Sequence, residues 1–175
     1  PQDACGVIGI YAPGEEDSKL TYFGMYALQH RGQESAGMAV SDGRHMMVFK
    51  DMGLVSQVFD EATLNSLQGH MAVGHTRYST TGASIWDNAQ PTFRSRQGGD
   101  GLALAHNGNL TNTGALEALI AERAPDTEVP HKDRMDSSSD TSLVTALMTT
   151  YDGTLEEVAA QVLPHLQGAF SLVFM

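Results

Sequence analysis

At 175 residues the chain suits one domain with a buried core, and 41% hydrophobic with 18% charged residues is an ordinary globular balance. A formal charge of −11 with only ten Lys and Arg argues against nucleic acid as a partner. No apolar run approaches the roughly 20 residues of a membrane span and no secretory signal opens the chain, so a cytoplasmic protein without a membrane contact is expected. The single cysteine excludes an intrachain disulfide and a Cys-rich metal site.

Residues 5–11 (CGVIGIY) read as a strand starting almost at the first residue. Helical spacing over residues 19–30 places Leu20, Phe23, Ala27 and Leu28 on one apolar face, with Gly32 as a stop. Two β-rich runs, 35–40 and 45–50, flank Asp42-Gly43, a strong hairpin signal. A short helix over 60–67 precedes a strand over 70–78. Residues 79–91 are polar, turn-rich and long for a connector, as lids often are. Residues 92–96 and 102–106 form a second hairpin around Gly98-Gly99-Asp100-Gly101. Helices follow over 113–122, 140–151 and 155–166, with a polar loop through Pro130. The apolar run 169–175 reads as a strand, and an unpaired apolar edge suggests a domain incomplete at its carboxy-terminal end. Strands in hairpins with helices between the groups indicate an α+β fold.

Cys5 carries the chemical interest. A lone cysteine is by default a small buried hydrophobe. A thiol reacts as its thiolate and needs a nearby base. When cysteine is a chain's first residue, its α-amine, with a pKa of roughly 8, can be that base. Four residues precede Cys5, and while the Ala4–Cys5 peptide bond persists the nitrogen is an amide and no base.

Five segments stand in order along the chain: Cys5-Gly6-Val7-Ile8-Gly9, Gln29-His30-Arg31-Gly32-Gln33-Glu34-Ser35, Gly74-His75-Thr76-Arg77-Tyr78-Ser79-Thr80, His106-Asn107-Gly108-Asn109-Leu110 and Ser137-Ser138-Ser139-Asp140-Thr141. In this ordered set the chain resembles the class II glutamine amidotransferases, a branch of the N-terminal-nucleophile hydrolases. LQHRGQESAG, DMGLVSQVF and GHTRYSTTG are closest to the branch that aminates phosphoribosyl pyrophosphate in purine biosynthesis. The resemblance implies a four-layer αββα sandwich that hydrolyses glutamine to glutamate and ammonia. Cys5 is then the nucleophile, and the Asn107 amide with the Gly108 N–H forms the oxyanion hole. Arg77 grips the glutamine carboxylate, Asp140 takes its ammonium and Thr80 adds a polar contact. Arg31 and Gly32 support the architecture.

The resemblance also implies that residues 1–4 are a propeptide remnant whose removal activates the enzyme. It implies a phosphoribosyltransferase domain, absent from this chain, that receives the ammonia. No cofactor is expected in residues 5–175; magnesium, and in some relatives an iron–sulfur cluster, belongs to that other portion. A full-length homo-oligomer is expected. Blander readings stand beside these: Arg77 as a surface arginine, Asp140 as a helix N-cap, and Asn107-Gly108 as a tight turn. Gly at 108 is expected because the backbone approaches substrate closely. Metal binding by the histidines is disfavoured, because odd spacing puts His70 and His75 on opposite faces. Rival functions are the glutaminase domain of a glucosamine-phosphate synthase and a catalytically silent regulatory or interaction module.

Overall fold

The computed structural model describes residues 5–78, 85–96, 99–126 and 139–175. The tetrapeptide 1–4, Thr80 and much of the polar loops thus lie outside the described residues. One antiparallel sheet contains β1 (Gly6–Tyr11), β2 (Ser35–Ser41), β3 (Met46–Met52) and β4 (Met71–Arg77) in the order β1-β4-β2-β3. The second contains β5 (Thr92–Ser95), β6 (Gly101–Leu110) and β7 (Gly168–Phe174) in the order β5-β6-β7. Helices α1 (Asp17–Ala27), α2 (Val55–Val58) and α3 (Glu61–Ser66) cover the first sheet, and α4 (Thr113–Arg123), α5 (Asp140–Thr149) and α6 (Leu155–Val162) cover the second.

Two hydrophobic cores hold the outer layers. Met25, Met38, Val40, Val55 and Ala72 join α1 and α2 to the first sheet. Leu102, Leu104, Ile120, Leu147 and Val158 join the second sheet to its helices. Side chains alternate along a strand, so the opposite faces of both sheets meet each other. That inner layer uses small residues: Ala39, Ala103 and Ala105 are wholly buried yet belong to neither helix-side core. A Cβ on Gly9 would come within 2.8 Å of Val173 Cγ1, so the sheets approach closely. The result is the expected four-layer αββα sandwich.

The hairpin at Asp42-Gly43 forms as predicted: Gly43 has a φ of 87°, and Asp42 Oδ1 accepts the N–H groups of Arg44 at 2.8 Å and His45 at 2.7 Å. Three other expectations change. First, α1 buries Thr21 and Met25, while Leu20 and Phe23 are exposed. The helix lies so close to the sheet that only small residues fit between them. A Cβ on Gly74 would meet Thr21 Cγ2 at 2.7 Å, and one on Gly24 would overlap Ile8. Glycine thus decides which face packs, against the hydrophobic spacing.

Second, Asn107-Gly108 is no turn; both residues lie inside the ten-residue strand β6, paired with Ser171 and Phe170. Third, the N-cap of α5 is Ser139, whose Oγ accepts from the Ser142 N–H at 3.4 Å. Asp140, the first helical residue, is released for another partner.

Candidate active site

Cys5 immediately precedes β1, where Gly6 pairs with Thr76 of β4, and it therefore lies beside Arg77 and Tyr78. The sulfur is half-buried and held by the Tyr78 backbone: the N–H of Tyr78 donates to Sγ at 3.4 Å, and the thiol donates to its carbonyl at 3.4 Å. Two side chains converge on the Cys5 carbonyl. Asn107 Nδ2 donates to it at 2.6 Å from the second sheet, and Arg31 Nε donates at 3.3 Å from the turn after α1. Cys5 is thus fixed from both sheets at once.

Gly32 lets that turn approach β4. A Cβ there would lie 2.5 Å from the carbonyl carbon of Thr76 and 2.7 Å from that of Arg77. The supporting role expected for Arg31 and Gly32 has this physical form.

Arg77 is 6% exposed, which ends its reading as a surface arginine. Its guanidinium donates to the Asn88 carbonyl at 2.5 Å. Burial pulls its pKa below the ordinary arginine value, while the neighbouring Cys5 and Glu34 act in the opposite direction. A forked cation this desolvated binds a carboxylate more strongly than one in water.

On β6, bonding alternates. Ala103 exchanges both backbone hydrogen bonds with Met175 at 3.0 Å, so the odd residues of β6 face β7. The N–H groups of His106, Gly108 and Leu110 therefore belong to the other side. Strand β5 ends its pairing there at Leu104, opposite Thr92. Side chains take over beyond that point. Gln90 Oε1 accepts the His106 N–H at 2.7 Å, and Asp140 Oδ2 accepts the Leu110 N–H at 2.7 Å. Gly108 lies between these two anchored positions. Its φ of 142° suits glycine, and a Cβ would sit 2.2 Å from the Ala169 oxygen and 2.6 Å from Phe170 Cα. Among the described residues, the close approach that demands glycine comes from β7.

The structure thus brings Cys5, Arg31, Gly32, Arg77 and Asn107 together at one end of the sandwich, with Gly108 next along β6 and Asp140 of α5 bonded to Leu110 beyond it. Thr80 lies outside the described residues. Among those described, no three His, Cys, Asp or Glu side chains are grouped to hold a metal ion. No described helix is long and apolar enough to cross a membrane.

Sequence reasoning missed Tyr78, which acts through its backbone and has no side-chain signature. It also missed Gln29 and Gln90, buried or half-buried amides that bond the backbone. Gln29 Oε1 accepts the Val55 N–H at 2.6 Å, and its Nε2 donates to the Gly32 carbonyl. The available signals were a glutamine two residues before Arg31-Gly32 and one directly before Pro91.

No family model matches the chain. Amidophosphoribosyltransferase of Mycobacterium tuberculosis is 53% identical over 183 aligned residues, covering 100% of this chain and 33% of the relative. The Bacillus subtilis protein of the same name is 37% identical over 175 residues, covering 99% of this chain and 35% of the relative. Among solved structures, the glutamine phosphoribosylpyrophosphate amidotransferase of B. subtilis complexed with ADP and GMP superposes with a TM-score of 0.80 at 35% identity, over 97% of this chain and 34% of that one. The chain spans about one third of the length of these relatives. Agreement in sequence and in fold across the whole chain places it in the amidophosphoribosyltransferase family.

Proposed function

We propose that this chain is a glutaminase unit, in which the Cys5 thiol hydrolyses free glutamine to glutamate and ammonia for the amination of phosphoribosyl pyrophosphate. The observation carrying this reading is the convergence of Asn107, Arg31 and Arg77 on Cys5 from separate elements. The names of the relatives support the acceptor. The acceptor domain, its magnesium, any iron–sulfur cluster and assembly as a homo-oligomer belong to the same proposal and lie outside residues 5–175.

The steps follow from the groups present. With residues 1–4 removed, the α-amine of Cys5 takes the thiol proton and sulfur attacks the amide carbon of glutamine. The carbonyl oxygen becomes an oxyanion. A side-chain amide has two N–H donors; Asn107 gives one to the Cys5 carbonyl, leaving the other for this oxygen beside the Gly108 N–H. Such a donor lowers the barrier by about 3 kcal/mol. The ammonium of Cys5 protonates the departing nitrogen, and ammonia leaves a thioester. Water, deprotonated by the same amine, opens the thioester to glutamate and restores the thiol. Arg77 holds the substrate carboxylate; the Asp140 oxygen not engaged by Leu110 receives its ammonium. Together they select free glutamine over glutamine within a peptide.

The test compares the protein beginning at Cys5 with one retaining residues 1–4, intact mass giving the state of each. Glutamate release should appear only in the trimmed form and vanish in Cys5→Ala with the fold retained. Undiminished turnover in Cys5→Ala rejects the assignment.

A further inference from the structure

We propose that His75 is a positioning residue for this reaction: its ring reaches across from the first sheet to the second and holds the His106 carbonyl, setting the strand that presents Asn107 and Gly108 to Cys5. The inference rests on the glutaminase reading and adds a residue to it.

Four observations carry it. His75 lies on β4 two residues before Arg77, so both point into the space between the sheets. Its side chain is fully buried, and Nε2 lies 3.2 Å from the His106 carbonyl oxygen. That carbonyl lies on the side of β6 where β5 no longer pairs, since the ladder stops at Leu104. The N–H of the same residue is taken by Gln90 Oε1 at 2.7 Å. Residue 106 therefore has both backbone polar groups held by side chains, where an ordinary sheet would use a neighbouring strand. The next two residues are Asn107 and Gly108.

The ring is suited to that task. A carbonyl can only accept, so Nε2 must carry a proton. Burial pushes the pKa of His75 down to about 3, which keeps the imidazole neutral at working pH. Nδ1 makes no hydrogen bond among the described residues. A buried imidazole with one nitrogen unsatisfied contributes little net stability. Leucine, close in size, would fill the space but leave the buried His106 carbonyl without this donor. What histidine supplies at this position, and leucine cannot, is that one N–H.

The experiment uses the intact protein with Cys5 as its first residue, and measures glutamine hydrolysis, thermal unfolding and alkylation of Cys5 by iodoacetamide. Alkylation at a saturated carbon develops no carbonyl oxyanion, so it reports the thiol without the Asn107–Gly108 donors. His75→Leu should lower kcat about tenfold or more, as expected for a displaced donor. KM should stay within about threefold and alkylation within about twofold, while Tm falls only modestly, because the buried His106 carbonyl loses its donor. His75→Gln, which restores an N–H donor, should regain most of the rate. Gln90→Leu, which frees the other side of residue 106, should lower kcat in the same manner and carries the test if His75→Leu does not fold. Wild-type kcat in a folded His75→Leu overturns the inference alone, as does a rate loss matched by lost alkylation. Absence of glutamine hydrolysis in the trimmed wild type overturns the functional reading itself.

Discussion

Replacing Gly108 with alanine tests the geometry of the site at its tightest point. The new Cβ would lie 2.2 Å from the Ala169 oxygen and 2.6 Å from Phe170 Cα, where ordinary contact begins near 3.4 Å. Both obstacles are backbone, so β6 and β7 must separate by about an ångström locally. The φ of 142° costs a non-glycine residue about 1–3 kcal/mol. Each ladder hydrogen bond lost adds about 1 kcal/mol. A total of about 2–5 kcal/mol lowers Tm by roughly 4–20 °C for a chain of this size. An ångström of displacement at an oxyanion donor costs about a hundredfold in rate. Glutamate release should therefore show kcat reduced about a hundredfold, with KM within about threefold because Arg77 is untouched. Gly114→Ala is the control, since nothing lies within 4 Å of its added methyl group; it should leave kcat unchanged and Tm equal or slightly higher. Wild-type kcat and Tm in Gly108→Ala would refute the reasoning.

Arg77→Ala should raise the KM for glutamine about 10–100-fold, the value of a charge-assisted hydrogen bond, with a smaller effect on kcat in steady-state assays. Asp17→Asn should raise Tm at pH 7. The Asp17 carboxyl is buried with neither oxygen hydrogen-bonded among the described residues, and desolvation raises its pKa, opposed by His70 and reinforced by Glu15. Its stabilising contribution is present below the unfolded value of 3.8 and lost as pH rises through the folded value, so the gain should disappear near pH 3. His75 gives the opposite dependence. Its folded pKa of about 3 lies below the unfolded 6.5, so stability is full above pH 6.5 and falls as the unfolded state protonates between those values. His75→Leu should flatten that acid limb of Tm against pH; an unchanged limb would assign it to other groups.

Local chemistry was readable wherever a few neighbouring residues decide the outcome. Asp42-Gly43 specified its hairpin, and Asp60 caps α3 through the Thr63 N–H at 2.7 Å, where a helix start was expected. Contacts between distant segments were not readable. The outward turn of Leu20 and Phe23 is set by glycines of β1, β4 and α1 that meet only in the fold. Asn107-Gly108 has the composition of a turn, yet pairing with β7 keeps it in a strand. The short helix α2 escaped prediction because four residues carry no periodic signal, and Gln29 anchors its first N–H from another segment. At the site, side chains with charge or nucleophilic character could be named from sequence. The backbone groups of Tyr78 and the amide of Gln90 could not, because their roles arise from where strands end.

Strand periodicity explains why so few residues suffice for the site. Ile8 and Ile10 of β1 pack toward the helix-side core, as do Met38 and Val40 of β2, so the residues between them face the other sheet. In β6, Leu102 and Leu104 pack toward α5, which turns Ala103, Ala105 and Asn107 inward. Cys5, His75, Arg77 and Asn107 all fall on the inward phase of their strands. The same phase holds Val7, Ala39, Val73, Ala103, Ala105 and Val173 through the middle of the sandwich and gathers Cys5, His75, Arg77 and Asn107 toward one end. Small inward residues draw the sheets together, and that closeness is what lets Asn107 Nδ2 reach the Cys5 carbonyl at 2.6 Å and His75 reach the His106 carbonyl at 3.2 Å. Bulkier inner residues would move donors and nucleophile apart even with every site residue in place. Ala105→Leu should accordingly depress kcat well beyond its effect on KM, although residue 105 touches no substrate.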